Sequence, residues 1–252
     1  MQGQQQLQQL QDFRSICVDG NIGAGKTTVI TRLKERLNRR GGRAVSCTEE
    51  EANWKCVNGI NLLELLYKNA KVYANCFQYY MLYIRTQQFG LLQTAAGAVR
   101  DKDHPGNNFA KLSVQIAERS VATTHEVFGR ALLHPLDFAI QTRWLATMRR
   151  QGLEPLYEIR IYLRTNSACC YRRVQQRGRH EEEGLDAVYL DSLERLYDQY
   201  YQSQPNSSYY VIDGTQCLEN IVDQIMDILG GPTAGPKADS CCSSANSNSS
   251  NE

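Results

Sequence analysis

Gly20-Asn21-Ile22-Gly23-Ala24-Gly25-Lys26-Thr27 fits the pattern G-x-x-x-x-G-K-[ST], and the apolar run Ser15-Ile16-Cys17-Val18 before it reads as the strand that feeds such a loop. On the other side, from residue 28 to 40, Val29, Ile30, Leu33 and Leu37 recur at helical spacing. Strand, glycine-rich turn and helix in this order build a phosphate cradle. The glycines let successive backbone N–H groups turn inward, Lys26 brings a point charge to the outer phosphates, and the Thr27 hydroxyl suits magnesium. Residues Gly20, Asn21, Ile22, Gly23, Ala24, Gly25, Lys26, Thr27 and Thr28 are therefore candidate phosphate contacts, and a nucleoside triphosphate is the expected ligand. An ordinary glycine-rich turn is the bland alternative, disfavoured by the strand and helix that flank it.

Strand and helix patterns alternate along the rest of the chain. Gly41-Gly42 ends the first helix, and residues 43–48 read as a second strand that stops at Glu49-Glu50-Glu51. Residues 60–67 form a short helix and 70–96 a long one, before the breaker cluster Asp103-His104-Pro105-Gly106-Asn107-Asn108. A third strand spans 112–117 and ends in Glu118-Arg119-Ser120; helices follow near 122–133 and 135–150. Residues 156–163 make a fourth strand, 167–176 and 186–201 are helical, 209–212 form a fifth strand, and 218–229 a closing helix. The expected fold is α/β: a P-loop fold with a five-stranded parallel sheet flanked by helices and joined by right-handed crossovers. Ligands of such sheets gather beyond the carboxyl ends of the strands, so the residues after each strand are the ones to inspect.

Composition narrows the function. A chain of 252 residues, 42% hydrophobic, can bury one substantial core. The expected organisation is one domain over 13–230 with a lid at about 173–184, preceded by a disordered Gln-rich extension (1–12) and followed by a disordered Ser/Asn-rich tail (231–252). A net charge of +1 gives no electrostatic reason to expect nucleic acid or membrane as partner. Nine cysteines, without a CxxC pair or zinc-like spacing, are expected to be reduced thiols inside the cell. Residues 1–11 contain no Arg, unlike a mitochondrial leader, and no apolar run reaches the ~18 residues of a membrane span, so a soluble, cytosolic protein is expected.

Three strand ends carry chemistry: the phosphate loop, Glu49, and Glu118-Arg119. Phosphoryl transfer needs positioning, neutralisation of negative charge and one carboxylate to accept the attacking hydroxyl's proton, a role that Glu49 could fill. The alternative for Glu49-Glu50-Glu51 is a solvated acidic turn. Farther on, Arg172-Arg173 and Arg177-Gly178-Arg179-His180-Glu181-Glu182-Glu183-Gly184 are basic first and acidic second. They read as a lid whose guanidinium groups close over a triphosphate, or else as a solvated helix face with internal ion pairs.

Taken in order, these segments resemble the deoxyribonucleoside kinases, the group of the deoxycytidine, deoxyguanosine, mitochondrial thymidine and insect multisubstrate enzymes. The likeness covers residues 14–230. It rests on Asp19 to Thr28, Thr48-Glu49 followed by Trp54, Asn61-Leu62-Leu63-Glu64-Leu65-Leu66-Tyr67, Phe77-Gln78, Glu118-Arg119-Ser120, Ile161-Tyr162-Leu163-Arg164-Thr165 and Arg177 to Glu182. The resemblance implies transfer of the γ-phosphoryl of ATP or another NTP to the 5′-hydroxyl of a 2′-deoxyribonucleoside. It makes Glu49 the general base, assisted by Arg119, with Glu118 and Thr27 supporting Mg2+. Lys26, Arg173, Arg177 and Arg179 would act on the triphosphate, and Tyr67 with Glu182 on the 3′-hydroxyl. Gln78 would pair with the base edge, Trp54, Phe77 and Phe128 would sandwich the base, and Met81, Arg85 and Thr124 would complete the nucleoside pocket. The long helix and the helix at 135–150 correspond to those of the family's homodimer interface.

Departures from the family pattern bear on substrate choice. Relatives that accept cytosine or purines pair the Arg at position 85 with an Asp where this chain has Thr124; thymidine-preferring ones are apolar at both. Arg85, lacking its Asp, is expected to point toward base carbonyls or solvent and to give broad or altered specificity. Glu50 replaces a proline, and His125-Glu126 replaces an Arg-Tyr or similar pair. A nucleoside monophosphate kinase would share loop and sheet but need a second phosphate clamp; a silent nucleotide-binding regulator would bind without turnover. Glu49→Gln separates enzyme from regulator. The expected result is a fall in kcat of about 10²–10⁴-fold with little change in substrate binding, read by steady-state kinetics beside calorimetric titration; a protein with no rate to lose overturns the enzyme reading.

Overall fold

The computed structural model describes residues 13–47, 57–97, 113–205 and 209–230. Five strands, β1 (Phe13–Asp19), β2 (Arg43–Cys47), β3 (Ser113–Glu118), β4 (Ile159–Arg164) and β5 (Tyr210–Asp213), form one sheet in the order β2-β3-β1-β4-β5. Every pairing is parallel. The central strand β1 is a continuous apolar run because both faces are covered: Ile16, Cys17 and Val18 are all fully buried.

The crossovers are helical. In chain order they are α1 (Lys26–Arg39), α2 (Leu62–Lys68), α3 (Ala70–Gly97), α4 (residues 121–132), α5 (Pro135–Arg150), α6 (Ser167–Arg177), α7 (Ala187–Gln202) and α8 (Leu218–Gly230). The stripe Val29, Ile30, Leu33 and Leu37 of α1 is buried in one core with Ile16 and Val18 of β1, Ile161 and Leu163 of β4, and Ile221, Val222 and Ile225 of α8. Arg32 and Arg36 of α1 pair with Glu219 of α8, fastening the two helices at the surface. No described helix is long and apolar enough to cross a membrane.

Several boundaries differ from the sequence reading, each for a local reason. The second helix starts at Leu62, not residue 60, because the Asn61 side chain caps it by accepting the Glu64 N–H at 3.1 Å. Ile60 is drawn into a tight turn with Val57, through Asn58 and Gly59 at positive φ. The fourth strand starts at Ile159, paired with Ile16; just before it the Glu158 N–H donates to the Ser15 side-chain hydroxyl at 3.0 Å and not to a strand carbonyl. The termini, the end of the second strand at Thr48, Leu112, Glu49 to Glu51 and Trp54 lie outside the described residues.

Helix α4 is widened: Thr124–Gly129 is π-helical between short α-turns. This segment carries His125-Glu126. His125 is buried away from the strand ends, bonded through Nδ1 to Gln141 Oε1 (2.7 Å) and through Nε2 to Thr142 Oγ1 (2.9 Å). Its ring stacks on Phe138 with centroids 4.3 Å apart. The residue that replaces the family's Arg thus fastens α4 to α5.

Candidate active site

The site is built where β1 and β3 end side by side. Beyond Asp19 the chain turns through Gly20 to Gly25 and enters α1 at Lys26, with no acidic residue in the first turn of that helix to compete for an anion. Gly23 has φ +76°, and a Cβ there would stand 2.5 Å from the Cys170 carbonyl oxygen, so only glycine fits between the loop and α6. Lys26 is buried; its Nζ donates to the Asn21 carbonyl at 2.8 Å and lies 3.9 Å from Glu118 Oε1. The Thr27 hydroxyl donates to Glu118 Oε2 at 2.9 Å. A hydroxyl and a carboxylate oxygen at this separation are the hard oxygen donors that magnesium takes. Gly20 and Asn21 of the loop are not among the residues lining the cavity; the Asn21 amide donates to the Leu190 carbonyl of α7 at 2.8 Å.

Arg119, next after β3, has φ +66°, a left-handed conformation that costs an L-residue roughly 1–2 kcal/mol. Its Nη1 donates to Tyr197 OH at 3.0 Å, and its guanidinium carbon lies 4.4 Å from the centre of the Phe128 ring, in cation–π contact. Strain retained at a strand end marks a place where position matters more than backbone comfort.

The other wall comes from α2, α3 and α4. Tyr67, Phe77, Gln78, Met81, Arg85, Thr124 and Phe128 line the same cavity as Lys26, Glu118 and Arg119, enclosing about 550 Å³. Burial, followed by the nearby Tyr189 and Glu182, pushes the Tyr67 phenol well up, so it stays a hydrogen-bond donor at neutral pH. Gln78 is only 1% exposed, yet no donor reaches its Oε1 among the described residues. A buried acceptor left in this condition is uncommon in folded proteins and is suited to a ligand N–H.

For Arg85 the structure overturns only the solvent-facing half of the expectation, because the side chain lines the cavity. Arg85 is 3% exposed and does not reach solvent: Nε donates to Thr124 Oγ1 at 2.9 Å and Nη1 to the Glu118 carbonyl at 2.7 Å. Threonine takes over the acceptor role of the missing aspartate, without its charge. The Thr124 hydroxyl in turn donates to the Ser120 carbonyl at 2.8 Å.

The basic cluster spans two kinds of structure. Arg172, Arg173 and Arg177 belong to α6, whose end is capped by Gly178 in the left-handed region, while Arg179 precedes a 3-10 turn, His180–Glu182. Arg173 braces the loop, donating to the carbonyls of Ala24 (2.9 Å) and Gly214 (3.0 Å). Arg177 Nη2 donates to both Glu182 oxygens at 2.6 Å, and Arg179 lies 3.6 Å from the same carboxylate. Arg173, Arg177, Arg179 and Glu182 all face the cavity.

Of the residues singled out in the sequence, Ile22 to Thr28, Arg173, Arg177, Arg179, Tyr67, Phe77, Gln78, Met81, Arg85, Glu118, Arg119, Thr124, Phe128 and Glu182 meet around one cavity. Glu49 and Trp54 lie outside the described residues. The cavity also takes in Leu63 and Leu66, quoted above only as part of a motif, and Leu132, Gln176, Tyr189, Gln216 and Ile221, which sequence reasoning did not name. Tyr189 and Gln216 carry no motif, and the apolar ones are indistinguishable from core by periodicity.

Residues 16–230 match the family model described as deoxynucleoside kinase. The chain is 30% identical over 198 residues to deoxycytidine kinase 2 of Gallus gallus, covering 72% of this chain and 71% of that protein. It is 25% identical over 190 residues to mitochondrial thymidine kinase 2 of Homo sapiens, covering 73% of this chain and 63% of the human protein, just under two thirds of the latter. The solved structure of deoxyadenosine kinase from M. mycoides with bound dCTP superposes with a TM-score of 0.66 at 19% identity, covering 85% of this chain and 98% of that one, a likeness of fold.

Gly23→Ala is expected to lower folding stability by roughly 1–3 kcal/mol, through the positive φ and the close Cys170 carbonyl, and to weaken nucleoside triphosphate binding at the same time. Thermal unfolding with and without the triphosphate reads both, and an unchanged melting temperature would contradict the packing described.

Proposed function

This chain belongs to the deoxynucleoside kinase family, a family of phosphotransferases, and from that premise we propose a specific reaction for it. ATP or another nucleoside triphosphate gives its γ-phosphoryl group to the 5′-hydroxyl of a 2′-deoxyribonucleoside, producing the 5′-monophosphate for salvage of DNA precursors. One observation carries the reading: the glycine-rich loop and a buried amide whose acceptor meets no donor among the described residues face the same cavity.

The 5′-oxygen attacks the γ-phosphorus, the bond from that phosphorus to the bridging oxygen breaks, and the nucleoside diphosphate leaves with the electron pair. Glu49 takes the hydroxyl proton, and Arg119 holds the 5′ end. The loop N–H groups and Lys26 hold the donor phosphates, and Arg173, Arg177 and Arg179 neutralise charge on the transferring group. Magnesium, when bound, neutralises phosphate oxygens; Thr27 and Glu118 are the oxygen donors that would hold it.

On the acceptor side, Gln78 offers one amide donor and one acceptor to the base edge. Phe77, Met81, Phe128 and Trp54 wall the base, with Arg85 and Thr124 beneath it. Tyr67 donates to the 3′-hydroxyl and Glu182 accepts from it, once Arg177 exchanges that carboxylate for phosphate. The tyrosine against the sugar leaves little room for a 2′-hydroxyl, favouring deoxyribose. Of the two acceptor classes, a nucleoside fits better than a nucleoside monophosphate: Tyr67, Phe77, Gln78 and Met81 are uncharged, and the arginines beside them, Arg85 and Arg119, are bonded to Thr124 and to Tyr197.

The same family premise supports a homodimer. Leu136, Ile140 and Trp144 of α5 and Val72 of α3 are exposed, and Trp144 touches Tyr79 across the two helices, making an apolar stripe suited to a second copy. The expected species in light scattering has twice the 28.6 kDa chain mass; a monomer at micromolar concentration overturns this part.

A panel of thymidine, deoxycytidine, deoxyadenosine and deoxyguanosine, each with ATP and with UTP, tests the reaction itself. Phosphorylation of more than one of these nucleosides is expected, and no transfer to any of them sinks the reading. Thr124→Asp places a carboxylate against Arg85 and is expected to shift kcat/KM toward deoxycytidine and the purines by about tenfold or more. Identical profiles for the two proteins would remove Thr124 from the specificity account.

A further inference from the structure

Asp19, the last residue of β1, is completely buried and is not among the residues that line the cavity. Its carboxylate collects neutral donors from three elements. Oδ1 accepts the Ser120 N–H at 2.9 Å and the Thr123 hydroxyl at 2.5 Å; Oδ2 accepts the Ser120 hydroxyl at 3.1 Å and Tyr201 OH of α7 at 2.8 Å. The Cys17 thiol adds a long contact of 3.8 Å. Among the described residues Asp19 forms no ion pair, and its carboxylate is held by these hydrogen bonds. Apolar side chains would fill such a place at lower cost unless the acceptor had work to do.

The work is visible one residue away. The Arg119 N–H donates to the Val18 carbonyl at 3.1 Å, and the next N–H, that of Ser120, donates to Asp19. Two consecutive residues of β1 therefore hold the peptide groups on both sides of Arg119, the residue at φ +66°. The side chain is tied to the same framework: Arg119 bonds to Tyr197, which shares α7 with Tyr201, and Tyr162 stacks on both tyrosines at 5.6 and 4.6 Å. Ser120 also caps α4, its hydroxyl accepting the Thr123 N–H at 3.0 Å, so the start of the helix that carries Thr124 and Phe128 is held by the same carboxylate.

We propose that Asp19 is a positioning residue for phosphoryl transfer: its carboxylate holds Arg119 in the left-handed backbone conformation and thereby sets where the guanidinium stands in the cavity. It acts through Arg119 and not on the substrate. The inference rests on the reaction proposed above, in which Arg119 works at the 5′ end of the nucleoside.

Asp19→Asn keeps the shape but turns an amide group toward donors, and its effect is separated from simple damage by a double-mutant cycle with Arg119→Ala. Alone, Asp19→Asn is expected to lower kcat by about 10–100-fold while both KM values stay within about threefold; in the Arg119→Ala background the further loss is expected to be under about threefold. Equal proportional losses in the two backgrounds would assign Asp19 a structural role only and overturn the proposal. Should Asp19→Asn fail to fold, Thr123→Val removes a single donor. Its expected loss is about 3–10-fold in kcat, again absent beside Arg119→Ala, with the same overturning result. A wild-type protein inactive on every deoxynucleoside sinks the reaction and not this contact. In that case a crystal structure of either variant decides: Arg119 leaving the left-handed region supports the proposal, and an unchanged φ near +66° overturns it.

Discussion

The parallel register of β1 on β3, with Val18 opposite Glu118, is the constraint on which the site depends. It brings two strand ends level, so the turn leaving one and the acidic-basic pair leaving the other start from neighbouring points. Glu118 can then reach both Lys26 and Thr27. A slip of one residue would point every β3 side chain to the opposite face and carry Glu118 away from the loop. The apolar residues Ile16, Val18, Val114 and Ile116, all buried in the central core, are what make that slip costly.

Around this junction the polar side chains are largely engaged with one another. Arg177 holds Glu182, Arg173 holds the Ala24 carbonyl, Thr27 holds Glu118, and Arg85 holds Thr124. Substrate binding in the proposed reaction exchanges hydrogen bonds more often than it adds them, so these contacts serve specificity and alignment more than affinity. Gln78 Oε1 is a buried acceptor that meets no donor among the described residues and belongs to a residue lining the cavity, which makes it the natural contact for the nucleoside side.

The departures from the family pattern fall into two kinds. His125 is absorbed into the packing of α4 on α5 through Gln141, Thr142 and Phe138, so the lost arginine is a change of scaffold. Thr124 remains in the cavity and changes its charge, leaving Arg85 bonded to a neutral hydroxyl where relatives that accept cytosine or purines place an aspartate. Two substitutions in adjacent positions of the π-helical turn thus act on different things, one side chain bonding to α5 and the other lining the cavity.

Much of the fold was legible in the residues alone. The phosphate loop between a strand and a helix, five strand patterns alternating with helices, and the acidic-basic residues at the strand ends are local signals, set by side-chain periodicity and by what glycine and a bare helix N-terminus allow. The family motifs extended this to Tyr67, Gln78 and Phe128. What the tertiary structure alone decided is which groups meet and what each is bonded to. Sequence spacing could not show that Arg85 turns to Thr124 and the Glu118 carbonyl, that Glu182 is held by Arg177, or that Asp19 grips the turn after Arg119 from a hundred residues away. Such pairings depend on strand register and helix docking, which place residues distant in the chain within hydrogen-bond reach, and no local pattern encodes a distance of that kind.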